Sequence, residues 1–169
     1  MKTRLLRSIG PALLAFITYI VFSGSIRPYD IVTGIIISIA VGYMVANMTV
    51  RNPKKLLELK RLLWLLAYSV YYFFIAEVKA HTDVIYRILN PKMPINPGIV
   101  RVPYHVETDY AMTTIANSIT NTPGTVVVDV NTKRKIFYVH WINVKGVRPE
   151  ITFKNISESF EKYVKKIFD

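Results

Sequence analysis

The side chains of this 169-residue chain that could carry chemistry are few and far apart. There are three histidines, His81, His105 and His140, and no cysteine. The histidine spacings match none of the close patterns used by tetrahedral metal sites. Without cysteine the chain can ligate no iron–sulfur cluster, form no disulfide and perform no thiol chemistry. Two pairs of ionisable residues fall at helical spacing, Glu77 with His81 and Lys79 with Asp83. Such groups near membrane depth can form proton relays; at a helix end near water they are ordinary ion pairs. His140 sits in a strand-like run beside Trp141 with no acid or nucleophile close in sequence, and reads as a sheet residue that hydrogen-bonds or stacks. No phosphate-binding glycine loop, dinucleotide fingerprint, HExxH, nucleophile elbow or CxxC occurs. Lys133-Arg134-Lys135 reads as a solvated turn, with contact to anionic lipid head groups as the alternative. No catalytic, cofactor-binding or metal-ligating residue is therefore assigned, and no cofactor is expected.

The informative part of the sequence is its distribution of apolar residues. They make up 51% of the chain, with a mean hydropathy of +0.29, and they concentrate in the first half. Residues 8–26 and 31–50 are two charge-free runs, each long enough to cross a hydrocarbon core of about 30 Å as a helix. Lipid offers no backbone hydrogen bonds, so helix is the expected state of both. Arg27-Pro28-Tyr29-Asp30 makes the turn between them. The basic start and the small residues Ser23-Gly24-Ser25 resemble a signal peptide. The length of the run, and a second run directly after it, make it an uncleaved anchor instead.

Lys2, Arg4 and Arg7 precede the hairpin and Arg51, Lys54, Lys55, Lys60 and Arg61 follow it, whereas the turn has only Arg27, offset by Asp30. Both ends are therefore expected on the cytoplasmic side. In the second run Gly34, Ser38, Gly42 and Ala46 recur every fourth position and share a helix face. Small residues let another helix approach closely, either the first run or a partner subunit.

A third segment, 62–80, is ambiguous. Its uncharged part, residues 62–76, would cover only about 22 Å as a helix, and Trp64, Tyr68, Tyr71 and Tyr72 give it interfacial character. It reads as a tilted or partly embedded helix, with the C-terminal half cytoplasmic. The net charge of +11 follows the same plan: +7 over residues 1–61, −1 over 62–86 and +5 over 87–169. Charge at membrane flanks is topological and does not call for nucleic acid.

A proline-rich linker, 90–98, closes the membrane part, 1–89, and a small α+β domain is expected over 99–169. Within it the pattern predicts a strand over 99–106, a helix over 109–119 capped by Thr108 or Asp109, and a hairpin of 125–130 with 136–142. Val126, Val128 and Val130 would share one face of that hairpin. A last helix is predicted to begin near Asn155, with Asn155 and Glu158 as a capping box. The order β-α-β-β-α gives helices packed on one sheet.

Residues 116–141, ANSITNTPGTVVVDV followed by IFYVHW, resemble the E subunit of the multisubunit Mrp-type sodium/proton antiporters. They are equally similar to the homologous subunit of archaeal membrane-bound hydrogenase and sulfane reductase complexes. The motif residues are Thr122, Pro123, Gly124 and Thr125 with Tyr138, His140 and Trp141, preceded by Asn96-Pro97-Gly98. Asn121 departs from the family pattern, which would place a hydrophobic residue there.

The resemblance implies a non-catalytic accessory or assembly subunit of a cation/proton antiporter module, with a cytoplasmic ferredoxin-like domain and no cofactor. Its partners would be other membrane subunits and the lipid bilayer. Neither nucleic acid nor a small-molecule substrate of its own is expected. The residues alone leave two other readings open. One is a membrane-tethered enzyme acting on an anionic substrate, which a pocket of His140, Lys133 and Arg134 would favour. The other is a tethered basic domain that recruits nucleic acid, marked by steep salt dependence.

Overall fold

The computed structural model describes residues 2–49, 55 and 58–169. Arg51 and Lys54, which carry part of the charge argument, and Val50, the end of the second apolar run, lie outside the described residues. The chain divides into two compact units, Met1–Glu58 and Leu59–Asp169.

The first unit is a helical hairpin of α1 (Lys2–Ser23) and α2 (Pro28–Thr49). Pro28 opens α2 at a position where a missing N–H costs nothing. Asp30 lies in the first turn, where a carboxylate favours the helix dipole, and it accepts a bond from the Ser25 hydroxyl at 2.5 Å. The face of Gly34, Ser38, Gly42 and Ala46 packs on α1: Ser38 and Ala46 are buried, and Tyr19 lies over Gly34. A Cβ on Gly42 would stand 2.6 Å from the Ala12 Cβ and 2.8 Å from the Ser8 carbonyl oxygen, so only glycine allows this approach. The other faces leave Leu13, Leu14, Ile17, Ile36 and Ile39 exposed, as a lipid-facing surface would.

The second unit starts with a long helix made of α3 (Leu59–Tyr71), a π-helical turn (Tyr72–Ala76) and α4 (Glu77–Leu89). It continues with β1 (Gly98–Pro103), α5 (Asp109–Asn121), β2 (Thr125–Asn131) and β3 (Ile136–Trp141). Then come α6 (Pro149–Thr152), a second π-helical turn (Phe153–Ser157) and α7 (Glu158–Phe168). The sheet order is β1-β3-β2, all antiparallel, as in a ferredoxin-like sandwich. Val100 and Val102 of β1 and Phe137 and Val139 of β3 alternate onto the helical side. There they meet Ile115 and Ile119 of α5 and Phe160 and Val164 of α7, forming one core. Thr108 caps α5, its hydroxyl accepting from the Ala111 N–H at 3.2 Å.

Several sequence expectations are corrected. A β-bulge between Val127 and Asp129 breaks the alternation of β2. Val126 and Val128 are exposed while Val127 and Val130 pack against the core, so Val130 does not share the face of the other two. The first strand ends at Pro103, not at 106, because its partner β3 begins at Ile136, directly opposite Pro103. The last helix does not start at Asn155. It starts at Pro149 and passes through the π-helical turn, where the Asn155 amide donates to the Ile151 carbonyl instead of capping. The third helix runs further than 62–80, over Leu59–Leu89, which is long and apolar enough to cross a membrane. Asp83 pairs with Arg87 rather than Lys79.

Candidate subunit and membrane interface

The three histidines fall in three separate places. His81 Nδ1 is 3.3 Å from a Glu77 carboxylate oxygen and 2.9 Å from the Glu77 carbonyl, within its own helix. The His105 ring lies 3.1 Å from buried Glu161, whose other oxygen accepts the His105 backbone N–H at 3.0 Å, and Phe153 packs edge-on against the ring. His140 is opposite Ile99 and Val126 in the sheet, on the side away from the helices. Lys133 and Arg134 belong to the turn at the far end of β3, and Lys135 is bonded to Glu107 at 2.8 Å. That bond holds the exposed Lys135 ammonium above its ordinary range. Burial raises the Tyr104 phenol, whose hydroxyl donates to the Met112 sulfur at 3.2 Å. Among the described residues no three His, Asp or Glu side chains converge as a metal site.

What the fold does bring together is the three segments singled out in the sequence, around Gly98, Thr122–Thr125 and Tyr138–Trp141. Gly98, Trp141 and Thr125 lie in one register row across β1, β3 and β2. Thr122 and Thr125 tie the end of α5 to the start of β2 by donating to the Ile119 carbonyl at 3.0 and 2.7 Å. Gly124 has φ +92°, a conformation that an L side chain rarely adopts, and its carbonyl accepts the Ile142 N–H at 2.9 Å. The Asn96 N–H donates to the Ile142 carbonyl at 3.0 Å, and the Val144 N–H to the Asn96 carbonyl at 2.8 Å. Thr122, Pro123, Gly124 and Thr125 are thus a turn, Trp141 packs in the core, and Tyr138 and His140 point away from it.

The long helix docks at this same corner. Arg87, nearly buried, grips Asp83 through both carboxylate oxygens at 2.8 and 2.9 Å and also donates to the Pro94 carbonyl. With its amide orientation set by the network, Asn143 accepts from the same guanidinium at 3.1 and 3.2 Å. Further up, aromatic residues close the seam between α3 and α7. Tyr163 stacks on Tyr71 at 5.0 Å between centroids and meets Tyr68 at 5.8 Å and Trp64 at 6.1 Å. The Tyr68 hydroxyl bonds Ser118, and Asn121 donates to the Tyr72 hydroxyl at 2.9 Å. Asn121 therefore has a partner in the third helix. Beside this seam an open groove of about 580 Å³ runs between Leu65, Ser69 and Phe73 on one wall and Thr114, Asn117 and Asn121 on the other, and among the described residues no charged side chain lines it. The sequence suggested aromatic interfacial character for 62–76, but no local signal in it placed Tyr163 against that segment or made Arg87 a latch onto the linker.

Comparison with known proteins gives a consistent family. The family described as Na+/H+ ion antiporter subunit matches residues 12–167. The E1 subunit of the Na(+)/H(+) antiporter of Staphylococcus haemolyticus is 30% identical over 155 residues, covering 92% of each chain. The E subunit of the Na(+)/H(+) antiporter of Alkalihalophilus pseudofirmus is 35% identical over 107 residues, 63% of this chain and 66% of that protein. Among solved structures, a chain of the membrane-bound sulfane sulfur reductase, an archaeal respiratory membrane complex, superposes with a TM-score of 0.82. It is 33% identical, and the match covers 96% of this chain and 99% of that one.

Proposed function

This chain belongs to the family of Na+/H+ antiporter E subunits, and we propose that it is a non-catalytic accessory or assembly subunit of a multisubunit cation/proton antiporter module. The module is an Mrp-type antiporter or the antiporter-like part of a membrane-bound hydrogenase or sulfane reductase. The observation that carries this reading is the match, over nearly the whole of both chains, to a subunit of a respiratory membrane complex. The geometry supports it: the motif residues build a turn, a core tryptophan and a docking corner, all of which hold shape.

In this reading the membrane part is 1–89, the linker 90–98 and the soluble domain 99–169. The hairpin fills a seam between larger subunits and the sandwich lies on their cytoplasmic side. The positive-inside distribution supports that orientation. Transport groups then belong to partners, since α2 carries no Asp, Glu, Lys, Arg or His beyond its first turn and α1 none after Arg7. The tethered-enzyme alternative gains nothing from the fold, which places His140 on the open sheet face, away from the turn that holds Lys133 and Arg134.

Affinity purification of the tagged chain from its native membranes tests the proposal. Larger membrane subunits should co-purify, and their identity names the parent complex. Recovery of the chain alone, or substrate turnover by the lone polypeptide, would overturn it.

A further inference from the structure

The helix α3 has two faces of opposite character. One sends Trp64, Tyr68 and Tyr71 against the sandwich. The other, continued into the π-helical turn, leaves Leu62, Leu63, Leu66, Val70, Phe73 and Phe74 between 51% and 73% exposed. Length and composition would let Leu59–Leu89 cross a bilayer, but α7 lies along α3, and its outer surface carries Glu158, Lys162, Lys165 and Lys166. Lipid on all sides of α3 would strip those charges of water with no partner to replace it. A placement in the plane of the interface satisfies both faces, the apolar one in the acyl boundary and the sandwich in water.

The border of the apolar face is cationic. Lys60 lies one turn before Trp64, Lys166 Nζ stands 3.8 Å above the Trp64 ring, and Lys162 lies one turn before Lys166 on α7. All three are exposed, and none forms an ion pair among the described residues. Of the nearby acids, Glu161 is turned to His105 and Glu158 lies one turn before Lys162. By sequence, nine residues separate the end of the second apolar helix from the start of α3. We propose that α3 is an in-plane anchor on an anionic phospholipid surface. Lys60, Lys162 and Lys166 take lipid phosphates around Trp64, and Leu62, Leu66, Val70 and Phe73 enter the acyl region. Charge complementarity selects lipid as the occupant: an apolar strip edged by lysines fits anionic head groups above acyl chains. The proposal rests on the membrane reading above and not on which partners hold the chain.

The chain has two tryptophans, so Trp141→Phe leaves Trp64 as the single reporter. The full chain is placed in vesicles of phosphatidylcholine, with or without phosphatidylglycerol, carrying brominated acyl chains. Trp64 emission should be quenched more strongly when phosphatidylglycerol is present, and that excess should fall by about half or more at high salt. The triple variant Lys60→Gln/Lys162→Gln/Lys166→Gln should lose the same excess. Resistance to carbonate extraction, through the hairpin, confirms that each chain is inserted. The salt series on the chain with its lysines intact gives a result even if the triple variant folds poorly. Equal quenching in both lipids, an excess that ignores salt, or no quenching at all would overturn the proposal. Co-purification of partner subunits with the triple variant separates failure here from failure of the subunit assignment.

Discussion

At the scale of single residues, the consequential positions are those with no spare room or no spare partner. Gly42 has α1 directly above it, so Gly42→Leu forces the hairpin apart. The expected outcome is loss of partner subunits on purification and a lower melting temperature of what remains; unchanged assembly would show that the close approach is dispensable. Gly124 is held at φ +92° by its place between Thr122 and the Ile142 N–H. Gly124→Ala should cost about 1–3 kcal/mol, read as a fall in thermal stability with the fold retained. Arg87 differs in kind, because its charge is nearly buried while Asp83 is half exposed. Asp83→Ala strands the guanidinium and should cost about 1–3 kcal/mol. Arg87→Met, which keeps the volume and removes the buried charge, should cost less. The order of the two melting temperatures checks this.

At the scale of elements, the third helix is the joint of the second unit. Its upper part is held by ring packing around Tyr163 and its lower part by the Arg87 latch. Aromatic pairs of this kind contribute about 0.5–1.5 kcal/mol each beyond the area they bury. Tyr163→Ala removes three at once together with its own packing. It should raise hydrogen exchange across Leu59–Tyr71 and the facing turn of α7, leaving the β1-β3-β2 ladder protected. Uniform loss of protection throughout the sandwich would mean that α3 is an integral part of its core and not a docked element.

At the scale of the whole molecule, the absence of cysteine makes orientation directly measurable. Tyr29, exposed in the first turn of α2, and Lys133, exposed in the β2–β3 turn, are suited to single replacement by cysteine. With the chain in intact cells, an impermeant maleimide should label Tyr29→Cys directly and Lys133→Cys only after permeabilisation. The reverse pattern would invert the topology proposed here, and labelling of both from one side would remove the hairpin as a crossing.

The sequence by itself determined the membrane hairpin, because two charge-free runs of nineteen and twenty residues admit only helix in lipid. It also determined the β-α-β-β-α order, which local periodicity and turn residues encode, and the family, which short motifs at fixed separation encode. Tertiary structure alone decided what those motifs are for. Gly98, Thr125 and Trp141 meet only because the strands pair in the order β1-β3-β2. The start of the last helix at Pro149 has a local signal, a proline at the first helical position followed by Glu150, whereas the bulge that turns Val130 inward depends on the partner strand. The same holds for α3: its sequence reports an apolar helix with aromatic residues, and only the packing of Tyr163 and Lys166 against it distinguishes the face that meets protein from the face left exposed. Hydrophobicity is a property of each residue and can be read along the chain, whereas which hydrophobic face is already covered is a property of contacts between residues far apart in it.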